Sequence, residues 1–88
     1  MSYIPTIPIK DLTEVKFEDL GYTMFADLRE KLEHACEDGN INKNKHAITF
    51  VTDNGWMKVY STIWMVGKKY VLLRENLFIP IDSIVDIV

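Results

Sequence analysis

Asp53-Asn54-Gly55 stands between two runs rich in β-branched and aromatic residues, and this tripeptide limits the possible folds more than any other feature of the chain. Asn-Gly tolerates the positive φ angles of a type I′ turn, so residues 47–52 are expected to pair antiparallel with residues 56–66. Gly67-Lys68 predicts a second turn into residues 70–74, and Glu75-Asn76 a third into residues 77–81. Pro80 limits the pairing of that fourth run, Asp82 is placed to cap a single helical turn through Ser83, and residues 85–88 make a last short strand. Five short strands joined by tight turns in about 40 residues predict a small closed barrel, because closure removes unpaired edges.

Upstream, Tyr3-Ile4-Pro5-Thr6-Ile7-Pro8-Ile9 carries prolines three apart, which fix φ and remove amide donors, and reads as an edge strand or docking tail. Residues 10–22 have two readings. Asp11-Leu12-Thr13-Glu14 has the spacing of a capping box, whereas Thr13-Glu14-Val15-Lys16-Phe17 alternates like a strand. The clearest helix runs over 23–38, with Phe25, Leu28, Leu32 and Ala35 on one face, Thr23 as N-cap and Gly39 as its stop. Residues 40–45 read as a solvated loop.

The chain has 88 residues, 48% of them hydrophobic and 26% charged, which fits one globular domain with one core. A lone cysteine, Cys36, and an N-terminus without the pattern of a secretory signal lead us to expect a cytoplasmic protein. The longest apolar runs fall far short of the roughly 18–20 residues that cross a bilayer, so no membrane association is expected. Charge is divided unevenly. Residues 1–40 hold four Lys/Arg against nine Asp/Glu, while residues 41–88 hold six against four. An acidic helix beside a mildly basic β-region lacks the concentrated basic footprint of a protein that grips nucleic acid over its whole surface.

Residue sets for catalysis are missing. There is no Gly-x-Ser-x-Gly and no His-Glu-x-x-His, and Thr62 stands where a phosphate loop ending in Gly67-Lys68 would need a glycine. His34 and Cys36, two apart on a helix, point about 200° away from each other and do not share a metal ion. No cofactor, metal or catalytic residue is therefore assigned, and Cys36 is expected against the core with His34 at the surface.

Two surfaces are candidates for binding. Alternation along the second strand puts Trp56, Lys58, Tyr60, Thr62 and Trp64 on one face and Met57, Val59, Ser61, Ile63 and Met65 on the other, of which the second is expected to be the core face. The outward stripe Trp56, Lys58, Tyr60 and Trp64 either stacks nucleobases or meets a protein, or else is covered by the helix and the tail. The second candidate is the acidic helix face: Asp27, Glu30, Glu33 and Glu37 offer carboxylates to a basic partner, although such a face is commonly just solvated.

The order of elements, a helix followed by a strand ending in Asn-Gly, a long second strand, a third ending in leucines and a short closing strand, is similar to the Sm-like fold. Within it the chain resembles the Rho-binding antiterminator family. The matching stretches are Tyr3-Ile4-Pro5, Leu32-Glu33-His34-Ala35-Cys36, residues 46–55, Lys69-Tyr70-Val71-Leu72-Leu73 and Ile79-Pro80-Ile81-Asp82-Ser83-Ile84. Tyr60 or Ser61 stands where Sm-type proteins place a bending glycine, and the Ile-Arg-Gly of ring-forming Sm proteins is lacking. The expected fold is thus α+β and mainly β: one domain over 1–88, with an extended and irregular segment over 1–22, an N-terminal helix over 23–38 and a five-stranded antiparallel Sm-like or SH3-like barrel over 46–88. The resemblance implies a non-enzymatic regulatory protein, an antiterminator-like inhibitor that binds a protein partner with a basic surface through the acidic helix region. Nucleic-acid binding through the aromatic stripe is the alternative.

Overall fold

The computed structural model describes residues 4–22 and 25–88. It is α+β, but the five-stranded barrel is not formed. Six strands make two three-stranded antiparallel sheets, one in the order β2-β1-β6 and one in the order β3-β4-β5. The first contains β1 (His46–Thr52), β2 (Gly55–Ser61) and β6 (Ile84–Ile87). The second contains β3 (Ile63–Val66), β4 (Tyr70–Leu73) and β5 (Phe78–Pro80). Pro80 lacks a donor and leads directly into a 3-10 turn, Ile81–Ser83, so β5 ends after three residues and no ladder joins it to β6. Asp82 lies inside that turn, and Pro80 rather than Asp82 is its N-cap.

The hairpin forms where expected, with β1 and β2 in register from His46↔Ser61 to Thr52↔Gly55. Its turn is not type I′, which requires positive φ at both central residues. Asp53 and Asn54 lie between the paired Thr52 and Gly55, and the positive φ falls on Gly55 alone, at 107°. The buried Thr52 hydroxyl fixes the geometry, accepting from the Asn54 amide at 3.1 Å and donating to the Gly55 carbonyl at 2.9 Å.

The expected second strand breaks at Thr62. Residues 55–61 belong to one sheet and 63–66 to the other, and the inward–outward alternation does not survive the break: Val59, Ser61 and Ile63 are buried as expected, but Thr62 is buried too and Met65 is exposed. The cause is the helix α1 (Leu28–Asn42), which packs chiefly on β3. At Gly39 its backbone comes so close that a Cβ would lie 2.6 Å from the Ile63 carbonyl oxygen and 2.8 Å from Thr62 Cγ2. Gly39 is therefore a packing residue inside the helix and not its stop. The helix ends three residues later, where Lys43 takes a left-handed conformation, φ 60°, and donates its amide to the Gly39 carbonyl.

The helix is not N-terminal, and it spans 28–42 in place of 23–38. Thr23, expected as N-cap, lies outside the described residues, as does Tyr3; Asp27 occupies the N-cap position without a side-chain capping bond. Phe25 precedes the helix and is exposed, with the Lys31 ammonium 5.2 Å from its ring centroid. Leu28, Leu32, Ala35 and Gly39 form the buried face. They meet a core that includes Ile48, Phe50, Val59, Ile63, Leu73, Ile79 and Ile84, each no more than 1% exposed.

The segment before α1 clamps the first sheet from both sides. Thr6 bridges Lys58 in parallel, the Lys58 amide donating to Pro5 O at 3.0 Å and the Ile7 amide to Lys58 O at 2.9 Å, so the proline-bearing tail covers the edge of β2. Neither reading of residues 10–22 is realised: Asp11 lies inside a 3-10 turn whose N-cap is Pro8, with no side-chain capping bond, and residues 13–17 form no strand beyond one isolated bridge. Ile9–Thr13 forms a 3-10 helix that buries Leu12, and Phe17 then bridges the end of β1 at Thr52, its ring 5.4 Å from that of Phe50.

Candidate interaction site

On a helix whose buried face is set by residues 28, 32, 35 and 39, the 100° step per residue carries positions 30, 33 and 37 to the opposite side. Glu30, Glu33 and Glu37 are all exposed there, and the exposed Ile41 continues the same face into the last turn. Asp27, at the N-cap, falls on the flank beside Lys31. Three of the four acidic residues thus share one face and the fourth borders it.

The two cations of α1 do not neutralise that face. Arg29 reaches across to the β3–β4 turn, donating to the carbonyls of Gly67 at 3.3 Å and Lys68 at 3.1 Å. Lys31 pairs with Asp86 on β6 at 3.0 Å, and this hydrogen bond is the main cause holding its pKa above the ordinary lysine value, against the opposing effect of burial. Both side chains fasten the helix to the sheets. Among the described residues no ion pair engages Asp27, Glu30, Glu33 or Glu37.

The C-terminal end of the face is rigidified through Asp38. Its carboxylate accepts from Asn42 Nδ2 at 2.8 Å and Asn44 Nδ2 at 3.1 Å, and contacts His46 Nε2 at 3.0 Å. The Asn42 bond, then those of His46 and Asn44, hold its pKa below the ordinary carboxylate range. These bonds, with Asn40 Nδ2 donating to Trp64 O at 3.2 Å, carry the helix through residues 40–42, which the sequence assigns to a loop. A shallow groove of about 290 Å³ lined by His34, Glu37, Asp38, Ile41 and Asn42 runs alongside. Sequence reasoning missed Asp38, Ile41 and this groove; the asparagines at 42 and 44 around an acidic residue were the available signal.

The aromatic stripe is neither covered nor continuous. Trp56, Tyr60 and Trp64 are exposed, and Lys58 is half-buried, its backbone paired with the tail. Trp56, Lys58 and Tyr60 share β2, but the buried Thr62 separates them from Trp64, which belongs to the other sheet. Cys36 packs against the core as expected, with Asn40 Nδ2 on its carbonyl at 3.0 Å; burial pushes its thiol pKa up, the opposite of what a nucleophile needs. No group of acidic, histidine or cysteine side chains suited to a metal ion occurs among the described residues, and no helix there is long and apolar enough to cross a membrane. The chain matches no protein-family model, no curated protein and no solved structure.

Proposed function

We propose that this domain is a non-enzymatic regulatory module of the cytoplasm that binds a protein partner with a basic surface through the outer face of α1. The observation that carries this reading is the unneutralised line of Glu30, Glu33 and Glu37 on a helix whose own cations, Arg29 and Lys31, are turned to other tasks. Carboxylates three and four residues apart repel one another by only a few tenths of a kcal/mol, whereas charge-assisted hydrogen bonds to an opposing Lys/Arg surface contribute roughly 1.5–3 kcal/mol each. Exposed Ile41 and the groove beside it add an apolar contact at the end of the line. An antiterminator-like mode of action, occupation of a partner by an acidic helix region, belongs to the same proposal. The test is capture of partners from the source organism by the wild-type chain and by Glu30→Lys/Glu37→Lys: a protein retained by the first and lost by the second supports the reading, and equal retention contradicts it.

A further inference from the structure

The second sheet presents an outward face on which four large apolar side chains are about half exposed. Register aligns Met65, Leu72 and Phe78 across its three strands, with Tyr70 opposite Pro80 in the next row. A bulge between Ile63 and Met65 makes Trp64 the extra residue and brings it to the surface beside Met65. Trp64, Met65, Tyr70 and Phe78 are between 45% and 54% exposed, and the Tyr70 and Phe78 rings stand edge to face at 6.1 Å. Sheet faces of this size ordinarily show polar side chains to water.

In the connections that flank β4 and β5 the cations Lys68, Lys69 and Arg74 outnumber the exposed carboxylates of Glu75 and Asp82. Residues 54–74, which build β2, β3, β4 and their connections, contain four Lys/Arg and no Asp or Glu. Lys68 and Lys69 precede β4 and Arg74 follows it in the turn towards β5, all three exposed. Glu75, the next residue, has its carboxylate drawn to the Ser61 hydroxyl at 2.7 Å. Cations at both ends of a strand, with exposed aromatic rings on that strand and its neighbours, suit a flexible polyanion whose units carry flat rings. We infer that the outer face of the β3-β4-β5 sheet binds single-stranded nucleic acid, Trp64, Tyr70 and Phe78 stacking on bases and Lys68, Lys69 and Arg74 contacting phosphates. This site is separate from the α1 face and stands or falls independently of the protein-binding proposal.

The probe is a fluorescein-labelled oligothymidylate of about twelve nucleotides, followed by fluorescence anisotropy with the full chain at low salt. Binding is expected, weakening steeply as salt rises and weaker for a duplex of the same length. Tyr70→Ala and Phe78→Ala are each expected to reduce affinity at least about fivefold, Tyr70→Phe to retain it, and Lys68→Glu/Lys69→Glu to lower both the affinity and its salt dependence. Circular dichroism melting of each variant separates lost binding from lost folding, and Tyr70→Phe keeps the test informative if an alanine variant melts early. The inference is overturned by absence of binding at low salt, or by binding that survives both alanine variants but is lost in Trp56→Ala/Tyr60→Ala. It is equally overturned if sedimentation shows the face buried in a dimer that Tyr70→Ala dissociates, which would make a second copy the occupant.

Discussion

At the scale of single residues, Gly39 and Asp38 each do something that composition alone does not disclose. A methyl group at Gly39 would lie well inside contact distance of the Ile63 carbonyl and Thr62 Cγ2. Gly39→Ala gains about 1 kcal/mol of helix propensity, but the forced displacement of α1 from β3 costs about 1–3 kcal/mol, more if backbone must move. Net destabilisation is therefore expected in urea unfolding, and a stabilised variant would show that the approach is looser than described. Asp38 provides a pH signature. Because its folded pKa is depressed by the Asn42, His46 and Asn44 bonds, its contribution is present in full above the ordinary carboxylate range and is lost as pH falls through the lower folded value. Stability of the wild type should decline below about pH 4, and Asp38→Asn should decline less over the same interval, as read from unfolding midpoints. Glycine after a charged helix reads as a stop in the sequence; only the strand that passes beneath it turns it into a packing residue.

At the scale of elements, the parts dictated by local chemistry were legible and those dictated by tertiary contact were not. Strand β1, its antiparallel partner and the buried positions Ile48, Phe50, Val59 and Ile63 follow from alternation around a glycine turn. Helix α1 follows from its apolar stripe, and so does the solvent position of Glu30, Glu33 and Glu37. Alternation fails at Thr62, because a period-two pattern continues through residues 56–66 while the helix pressed against Thr62 and Ile63 divides that run between two sheets. The same break removes Trp64 from the stripe of Trp56 and Tyr60. Likewise the extension of α1 through Asn42 depends on Trp64 O and on the side chains around Asp38, none of which helix propensity registers. Strand count and turn spacing point to a barrel, and neither reveals that β5 stops at Pro80 short of pairing with β6.

At the scale of the whole molecule, the residues before β1 hold the two sheets from different sides, α1 lying on β3 and the N-terminal segment bracing the other sheet. That brace protects an edge. Deleting residues 1–8 removes the two backbone hydrogen bonds between the tail and Lys58 and uncovers β2, so the truncated chain should unfold earlier and self-associate at high concentration. An unchanged melting midpoint with a monomeric sedimentation profile would mean that the tail is dispensable.

The central claim, that the outer face of α1 is the partner-binding surface, is tested most directly by the dissociation constant of the captured, purified partner for wild type and for Glu30→Lys/Glu37→Lys, at about 50 mM and about 300 mM salt. Both side chains are exposed, so the double variant should keep its stability to within about 0.5 kcal/mol. The expected result is a loss of affinity of about tenfold or more at low salt, shrinking as salt screens the wild-type interaction. Equal dissociation constants for the two proteins at both salt concentrations would contradict it.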